Sequence, residues 1–401
     1  FTLARRLAHL PGFALLLDAG VRPRAWLAAN PVERSERLDP EAGLPLLGTA
    51  RVKPVPRWIG LLPYEAFRRV ELSRGHRETR SAPVFERPLW QRYNALVEIT
   101  DRVTLHADSR SALARLEHAL RTEVAPTPVR LSGLRPADHD QTHAARILRA
   151  LELIAAGELY EVNLARRFEL EVLGTSVDVL QRLSERAPGP QCFILHTPRA
   201  EVIATSPETF LSTTAEGRIA TFPIKGTRPC GADPAENERR ARALDASAKE
   251  RAELAMVIDV ERNDLNRVCD AGSVHLAEPP HVESFGTVLH RLAMVEGRLT
   301  QGATREAVLQ AMMPSGSITG APKLRAMEVI AQLESHRRGL YTGAFGALMS
   351  DGSLELGMAI RTLVRRGDAA HYFAGGGIVA DSDAPLEVQE THWKAAQLLE
   401  G

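Results

Sequence analysis

Two pairs of glutamates have the spacing of a divalent-cation site. Glu250 and Glu253 lie in one predicted helix, and Glu387 and Glu390 lie in another at the end of the chain. Residues three apart share one face of a helix, and Mg²⁺ prefers oxygen ligands while it keeps several waters. Two facing pairs could therefore hold Mg²⁺, although two solvated helix faces would show the same pattern.

Lys225 has an unusual setting in the stretch FPIKGTRPCG. It follows a Pro-Ile pair and precedes Gly226 and Thr227, whereas lysines usually lie on solvated surfaces. A lysine buried beside apolar residues loses its proton more easily, and a neutral amine is a nucleophile. An exposed lysine in a turn is the alternative, and this stretch alone leaves both interpretations open.

Three further motifs could bind a small anion. Gly375 to Gly377 follow an apolar strand in AGGGIVADS, and the loop PSGSITGAPK leads into a predicted helix. Glycine lets backbone N–H groups approach a ligand closely, and an arginine such as Arg361 can bind a carboxylate through two hydrogen bonds. The alternatives are a tight turn for the glycines, a capped connection for the loop and a surface salt bridge for Arg361. His290 is a further candidate, although a histidine in such a strand is more often packed and hydrogen-bonded than catalytic. With the glutamates, these residues predict a site for a small carboxylate-bearing ligand.

Strands in runs, with helices grouped between them, predict an α+β fold around this site. We expect an N-terminal region over residues 1–130 and a catalytic region over residues 140–401. The Pro-, Gly- and Ser-rich run APTPVRLSGLRPADHD between them is predicted to be a linker. The long segment DASAKERAELAMVIDVERNDLNRVC is predicted to be one helix with Asp245 as its N-cap.

Composition excludes several function classes. The 401 residues carry no formal net charge, so no basic surface for nucleic acid is expected. No apolar run reaches the roughly 18 residues that span a bilayer. Cys192, Cys230 and Cys269 are far apart, and none lies in a Gly-x-Cys-x-Gly setting. The cysteines therefore predict no disulfide framework, zinc site or built-in glutaminase nucleophile. We also expect no membrane partner, no signal peptide and a cytoplasmic location.

From about residue 140 to its end, the sequence resembles the chorismate-utilising enzymes. That family includes anthranilate synthase component I, aminodeoxychorismate synthase component I, and the isochorismate and salicylate synthases. The resemblance implies two intertwined α/β subdomains that form a large β-sandwich with helices outside. The matching segments are ELYEVNLARRF, ATSPETFL, FPIKGTRP, AMVIDVERNDLNRV, PSGSITGAPKLRAMEVI, YTGAFGALMSDGSLELGMAIRT, AGGGIVADSD and EVQETHWKA, with weaker matches at LLLDAG and WIGLLPYE.

The resemblance also implies roles for individual residues. It implies that Glu253 and Glu390 bind Mg²⁺, with Glu250 and Glu387 supporting them. Tyr341 and Arg361 resemble the residues that hold the enolpyruvyl carboxylate, His290 resembles the histidine beside the reacting centre, and Glu208 resembles the general acid/base. The residues that resemble ring-side contacts are Gly226, Thr227, Gly375, Gly377 and Lys394.

Lys225 indicates which reaction of the family to expect. Anthranilate synthases have a motif that resembles PIAGT, whereas PIKGT resembles aminodeoxychorismate synthase. There the lysine is taken to attack ring carbon 2 of chorismate while the 4-hydroxyl leaves, and ammonia then adds at carbon 4. We expect burial beside Ile224 to lower the pKa of Lys225 and a nearby Glu208 carboxylate to raise it. A proton that passes from the lysine through Glu208 to the leaving hydroxyl would resolve this conflict.

The resemblance thus predicts the synthesis of 4-amino-4-deoxychorismate from chorismate and ammonia, in para-aminobenzoate and folate biosynthesis. A separate glutamine amidotransferase subunit would supply the ammonia. Two alternatives stay open at this point. One is anthranilate synthase component I, and the other is a non-catalytic chorismate-binding member of the family.

Overall fold

The structure, a computed structural model, describes residues 1–19, 23–42, 53–67, 78–231, 233–285 and 288–396. Its strands, in chain order, are β1 (Ala14–Asp18), β2 (Arg24–Ala28), β3 (Glu33–Ser35), β4 (Pro56–Leu62), β5 (Leu89–Arg92), β6 (Ala95–Ile99), β7 (Val103–Ala107), β8 (Arg130–Pro136), β9 (Glu161–Leu173), β10 (Gln191–His196), β11 (Glu201–Ser206), β12 (Thr209–Thr213), β13 (Arg218–Thr221), β14 (Ile224–Pro229), β15 (His275–Phe285), β16 (Val288–Arg298), β17 (Gly320–Ala321), β18 (Ala344–Met349), β19 (Leu354–Met358), β20 (Thr362–Arg366) and β21 (Ala369–Ile378).

These strands form two large antiparallel sheets. The first has the order β17-β9-β21-β20-β11-β10-β1-β2-β6-β7, with β8 also paired to β9. The second has the order β14-β16-β13-β12-β19-β18-β4-β5-β3, with β15 also paired to β16. Antiparallel neighbours need only short connections, which explains why the strands follow one another in runs.

Helices cover the outer faces of both sheets. They are α1 (Thr2–Leu7), α2 (Arg110–Arg121), α3 (Asp140–Ala155), α4 (Ser176–Arg186), α5 (Pro234–Ala246), α6 (Ala248–Leu265), α7 (Arg305–Met312), α8 (Lys323–Leu333) and α9 (Ala384–Ala396). Buried apolar residues of α3, α8 and α9 pack together with those of β9 and β21, and those of α6 and α7 pack with the second sheet. Among the described helices, none is both long and apolar enough to cross a bilayer.

The two sheets pack face to face through one apolar layer. Phe193 of β10 stacks on Phe345 of β18, with ring centroids 4.6 Å apart. Trp26 and Leu195 of the first sheet and Ile59 of the second belong to the same buried cluster. Stacked sheets with alternating inward apolar residues form a sandwich, so the predicted α+β sandwich with external helices is confirmed.

The N-terminal region contributes strands to both sheets. β1 pairs with β10 in the first sheet, and β4 pairs with β18 in the second. The chain is therefore intertwined, as the resemblance implied, while the division into residues 1–130 and 140–401 stays a prediction.

Two predictions about local structure were wrong. Arg130–Pro136, inside the predicted linker, is strand β8. The predicted long helix is confirmed as α6 (Ala248–Leu265), but its start was wrong: Asp245 lies at the end of α5, and Ser247 caps α6, because its hydroxyl accepts a hydrogen bond from the backbone N–H of Glu250. Asp245 instead accepts a hydrogen bond from Arg291, at 3.3 Å.

Candidate active site

The glycines at the end of β21 allow close contact with acidic side chains. A Cβ atom at Gly377 would lie 2.2 Å from Oε1 of Glu161, so any larger residue there would displace the Glu161 carboxylate. A Cβ atom at Gly376 would lie 3.3 Å from carboxylate oxygens of both Glu387 and Glu390. This end of the strand therefore lies between the first residue of β9 and the carboxylates of α9.

Lys225 is buried and forms an ion pair across the two sheets. Its Nζ donates a hydrogen bond of 2.6 Å to Oε1 of Glu161, and the two side chains are 12% and 2% exposed. Gly226, which follows at a bulge in β14, has φ +83°, a conformation that favours glycine. Since β14 belongs to the second sheet and β9 to the first, this contact connects the sheets.

The acids around Lys225 determine its charge. Burial lowers the pKa of Lys225, but Glu161, Glu253 and Glu208 together raise it, and the pKa lies above its ordinary value. The two opposing effects expected from the sequence, burial that lowers the pKa and Glu208 that raises it, are both present, and the acids outweigh burial. The lysine is an ammonium at neutral pH, so a base must take its proton before it can attack.

Glu208 is the opposite case, a buried carboxyl that keeps its proton. Burial and the nearby Glu261 raise the pKa of Glu208 to about 8. The hydroxyl of Ser317 donates a hydrogen bond to Oε1 of Glu208, at 2.9 Å. At neutral pH Glu208 is therefore mostly protonated, which suits a general acid.

Two serines connect Glu208 to a second buried acid. The hydroxyls of Ser315 and Ser317 lie 2.9 Å apart, and the Ser315 hydroxyl donates to Oε1 of Glu261, at 2.8 Å. Burial raises the pKa of Glu261 to about 7. The loop PSGSITGAPK thus links two carboxyls, whereas the sequence indicated only an anion site at a helix end.

Arg361 has an unusual backbone conformation. It lies between β19 and β20 with φ +47°, a rare conformation for a residue other than glycine that is often found at functional sites. Its Nη1 is buried and has no hydrogen-bond partner among the described residues, and burial lowers the pKa of its guanidinium. A buried guanidinium with an unused donor can accept an anion.

His290 lies near this arginine, and Tyr341 packs against Ile360, the preceding residue. The imidazole of His290, on β16, forms a hydrogen bond with the backbone of Gly226, and burial together with Arg361 lowers its pKa to about 4, so it is neutral at pH 7. The ring of Tyr341 stacks on Phe373, with centroids 5.1 Å apart. Both side chains are therefore held in place by packing, and the imidazole is uncharged.

Lys249 interacts with one member of each Glu-x-x-Glu pair, Glu253 on α6 and Glu387 on α9. Nζ of Lys249 lies 3.8 Å from Oε1 of Glu253, and the same lysine lowers the pKa of Glu387. Burial nevertheless raises the pKa of both Glu253 and Glu387.

Lys394 occupies the other side of this acidic region. Its Nζ lies 2.6 Å from Oε1 of Glu390 and donates to the carbonyl oxygen of Gly375, at 2.7 Å. A side chain predicted to contact substrate is thus bonded here within the protein.

This donor set fits Mg²⁺ better than a metal that needs a complete protein cage. In the described part of the chain, no three His, Cys, Asp or Glu side chains form a group that could hold a metal ion. Mg²⁺ commonly uses one or two carboxylates together with waters and an anionic substrate. Glu253 and Glu390 could supply those carboxylates. Burial raises the pKa of Glu253, and Lys394 pairs with Glu390, so a bound cation would stabilise the negative charge of these acids.

Comparison with known proteins identifies the family. Residues 17–400 match the family described as chorismate binding enzyme. The chain is a chorismate-binding enzyme family member. The resemblance predicted from the sequence motifs is confirmed at this level.

The relatives of this chorismate-binding enzyme carry one recurring name. It is 39% identical over 309 residues to anthranilate synthase component 1 of Streptomyces coelicolor, which covers 73% of this chain and 60% of the relative. It is 38% identical over 299 residues to that of Thermus thermophilus, covering 73% and 64%. The chain therefore spans about three fifths of the length of these curated relatives.

Solved structures agree on the fold. Anthranilate synthase component I from Streptococcus pneumoniae superposes with a TM-score of 0.79 at 27% identity, over 94% of this chain and 92% of that one. The menaquinone-specific isochorismate synthase from Escherichia coli has a TM-score of 0.78 at 20% identity, over 100% and 92%. The second likeness concerns the fold alone.

The structure of this chorismate-binding enzyme brings most of the predicted site residues into one connected region. Lys225 interacts with Glu208 and Glu253, and Glu253 shares Lys249 with Glu387. Thr227 pairs with His290 through the backbone, and its side chain lies outside the described residues.

Sequence reasoning missed Glu161, Lys249, Ser315, Ser317 and Glu261. Glu161 and Glu261 could have been noticed, because each is an acid within a segment that carries the family resemblance. These segments are ELYEVNLARRF for Glu161 and AMVIDVERNDLNRV for Glu261. Alternation along β9 disguised Glu161, since a half-buried strand normally places a polar residue at every second position.

Proposed function

We propose that this chain is the chorismate-converting component of aminodeoxychorismate synthase. One observation carries the proposal, namely that Lys225 of the FPIKGTRP motif is buried beside Glu161, with 2.6 Å between Nζ and Oε1. That motif resembles the aminodeoxychorismate synthases, in which the lysine is a nucleophile. A buried, acid-paired lysine next to a protonated carboxyl is what such a covalent route requires.

The surrounding residues have separate tasks in this proposal. Arg361 binds a carboxylate of chorismate through its unused donor, and Tyr341 limits the space beside it. Mg²⁺ held by Glu253 and Glu390, with Glu250 and Glu387 in support, would neutralise substrate carboxylate charge. Lys225 attacks ring carbon 2, and Glu208 donates its proton to the departing 4-hydroxyl, because its pKa of about 8 keeps it protonated at neutral pH.

Ammonia then adds at carbon 4 and displaces the lysine. We propose that a separate glutamine amidotransferase supplies it in the cytoplasm. Burial raises the pKa of the Cys192 and Cys269 thiols to about 12 and about 11, so neither is suited to be a glutaminase nucleophile. The isolated chain is therefore expected to use ammonium salts and not glutamine.

Anthranilate synthase component I is the second candidate. The names of the curated relatives favour it, because those at 38–39% identity are called anthranilate synthase component 1. Under this alternative ammonia attacks ring carbon 2 directly, and Lys225 has no covalent role.

Product identity separates the two candidates. The wild-type chain is incubated with chorismate, Mg²⁺ and ammonium, and the products are resolved by liquid chromatography and mass spectrometry. We expect 4-amino-4-deoxychorismate, and the Lys225→Ala variant should form it roughly 10³-fold more slowly if the covalent route lowers the barrier by about 4 kcal/mol. Lys53→Ala, at a half-exposed lysine that pairs with Glu98 rather than with any residue of this site, is the control and should match the wild-type rate per folded protein. Anthranilate as the wild-type product would overturn the proposal.

A further inference from the structure

Glu161 is the side chain that contacts the proposed nucleophile directly. Its Oε1 lies 2.6 Å from Nζ of Lys225. Its other oxygen, Oε2, is buried and has no hydrogen-bond partner among the described residues. A carboxylate whose second oxygen is unsatisfied is only partly compensated, because a buried charge normally needs all its lone pairs engaged.

The chain places Glu161 with two glycines. A Cβ atom at Gly377 would lie 2.2 Å from Oε1 of Glu161, and one at Gly320 would lie 2.1 Å from its carbonyl oxygen. β17 and β21 therefore both lie close to Glu161. Glycine at positions 320 and 377 makes this close approach possible, because a side chain at either position would collide with Glu161. Its position is fixed by the sheet itself rather than by a flexible loop.

We propose that Glu161 is the catalytic base that takes the Nζ proton of Lys225 and later returns it. This inference rests on the proposed function, because it concerns the step that makes the lysine a nucleophile. It differs from the expectation that Glu208 carries the lysine proton to the leaving hydroxyl.

The charges around Lys225 favour Glu161 as the base and Glu208 as the acid. The acids that face it are Glu161 on β9, Glu253 on α6 and Glu208 between β11 and β12. Glu208 holds a proton already, since its pKa is about 8, and a protonated carboxyl cannot take another. Glu253 is a proposed Mg²⁺ ligand, and no hydrogen bond joins it to Lys225 among those described. Glu161 is the acid within hydrogen-bond distance of the reacting nitrogen.

The first half of the reaction balances with these two acids. The Lys225 ammonium gives a proton to Glu161, and the neutral amine forms a bond to ring carbon 2. The ring double bonds shift, the bond between carbon 4 and its oxygen breaks, and Glu208 protonates the departing hydroxyl, which leaves as water. Lys225 is then a secondary ammonium bonded to the ring, Glu161 is protonated and Glu208 is a carboxylate.

The second half restores the starting state. Ammonia forms a bond to carbon 4, the bond between carbon 2 and the lysine nitrogen breaks, and Lys225 departs as a neutral amine. The new ammonium on the product gives a proton to Glu208, and Glu161 returns its proton to Lys225. The net change is chorismate plus ammonia to aminodeoxychorismate plus water, with both acids and the lysine as they began.

Single-turnover adduct formation tests the role of Glu161. The wild-type chain and its Glu161→Gln, Glu161→Asp and Glu171→Gln variants are mixed with chorismate and Mg²⁺ without ammonia. The adduct on Lys225 is followed by intact-mass and peptide spectrometry at several pH values. Glu171 is exposed on the same strand, so its variant is the matched control. Chorismate affinity and thermal unfolding are measured for each protein.

We expect Glu161→Gln to form adduct about 100-fold more slowly at neutral pH, a typical loss for a missing base, with chorismate affinity nearly unchanged. Its rate should rise about tenfold per pH unit from about pH 6 to about pH 8, because solvent must now remove the lysine proton. Wild type and Glu171→Gln should change little over that range. Glu161→Asp keeps a carboxylate and should retain the wild-type pH dependence at a reduced rate.

The outcomes separate this inference from the proposed function. If wild type forms an adduct on Lys225 and Glu161→Gln forms it at the same rate, the role of Glu161 is wrong while the lysine mechanism stands. A rate that falls equally at every pH in Glu161→Gln likewise overturns the base role, because a merely structural loss would do that. If Glu161→Gln does not fold, a Glu161→Asp profile that rises with pH overturns it instead. If wild type forms no adduct on Lys225, the proposed function and this inference both fail.

Discussion

Lys225 and Arg361 are two buried cations on different sides of the same site, and their surroundings are opposite. Three acids raise the pKa of Lys225 above its ordinary value, and Glu161 is in direct contact with it. Burial lowers the pKa of Arg361, and its buried Nη1 has no partner among the described residues. The first cation is compensated within the protein, whereas the second is left for an anion from outside. The contrast separates a reacting group from a binding group.

The largest effect in this comparison is expected when the lysine charge is removed. Lys225→Met leaves the Glu161 carboxylate buried without its cation, and breaking a buried ion pair in this way typically lowers the free energy of unfolding by about 3–5 kcal/mol. Urea denaturation at pH 7 measures the loss. The double variant Lys225→Met, Glu161→Leu should recover most of it, since neither charge remains. A single-variant loss below about 1 kcal/mol would show that the pair is not compensated as described.

Arg361→Leu should behave in the opposite way. Chorismate affinity should fall about 10- to 100-fold, because a hydrogen bond to a charged group contributes about 1.5–3 kcal/mol. The free energy of unfolding should stay constant or rise, since the variant removes a buried charge with an unused donor. Calorimetric titration with chorismate and Mg²⁺ measures the affinity, and Arg366→Leu, at an exposed position of the following strand β20, is the control. A loss of stability similar to that of Lys225→Met would abolish the distinction between the two cations.

Glu208 extends the comparison to a third buried group, one that is neutral. Its pKa is raised from 4.5 to about 8, so adduct formation without ammonia should fall about tenfold per pH unit above about pH 8, as the acid is lost. The contribution of Glu208 to the stability of the folded protein also decreases as the pH rises. A raised folded-state pKa stabilises fully below pH 4.5, and this contribution disappears as pH rises to about 8.

Glu208→Gln should therefore become more stable relative to wild type between about pH 4.5 and about pH 8, and the difference should be constant above that range. Urea denaturation across this range measures it. A difference that does not change with pH would mean that Glu208 is ionised in the native state, and it would remove Glu208 as the acid.

The sequence predicted the binding group and the reacting group better than their surroundings. Lys225, Glu253 and Arg361 were found because each lies in a recognisable motif. Glu161 was not, because its pairing with Lys225 depends on how strands 64 residues apart in the chain are brought together across two sheets. The conformation of Arg361, with φ +47°, was equally hidden, since arginine has no preference for it.

The linker prediction failed for a different reason. Proline, glycine and serine in the run that contains Arg130–Pro136 are typical of loops, but an edge strand tolerates them at bulges and at its end. Gly133 has φ +68°, and the pairing of β8 with β9 shifts register between Ser132 and Arg135. Composition alone could not distinguish an irregular edge strand from a linker.

The smallest expected effect concerns Lys249, which interacts with one member of each glutamate pair but is mostly exposed. Its side chain is 60% exposed, and Nζ is 3.8 Å from Glu253 Oε1, so its attraction to the carboxylates is largely screened by water and contributes about 1 kcal/mol or less. As a cation it competes with Mg²⁺ for the same acids.

Lys249→Gln should therefore bind Mg²⁺ about two- to fivefold more tightly, measured by calorimetric titration at low salt, and the gain should shrink as salt screens the charge. Lys53→Gln, at a lysine that pairs with Glu98 and not with the four proposed Mg²⁺ ligands, should leave Mg²⁺ affinity unchanged. Weaker Mg²⁺ binding by Lys249→Gln would mean that this lysine positions the carboxylates rather than competing for them. Lys249 would then belong with Lys225 among the cations that the protein compensates internally.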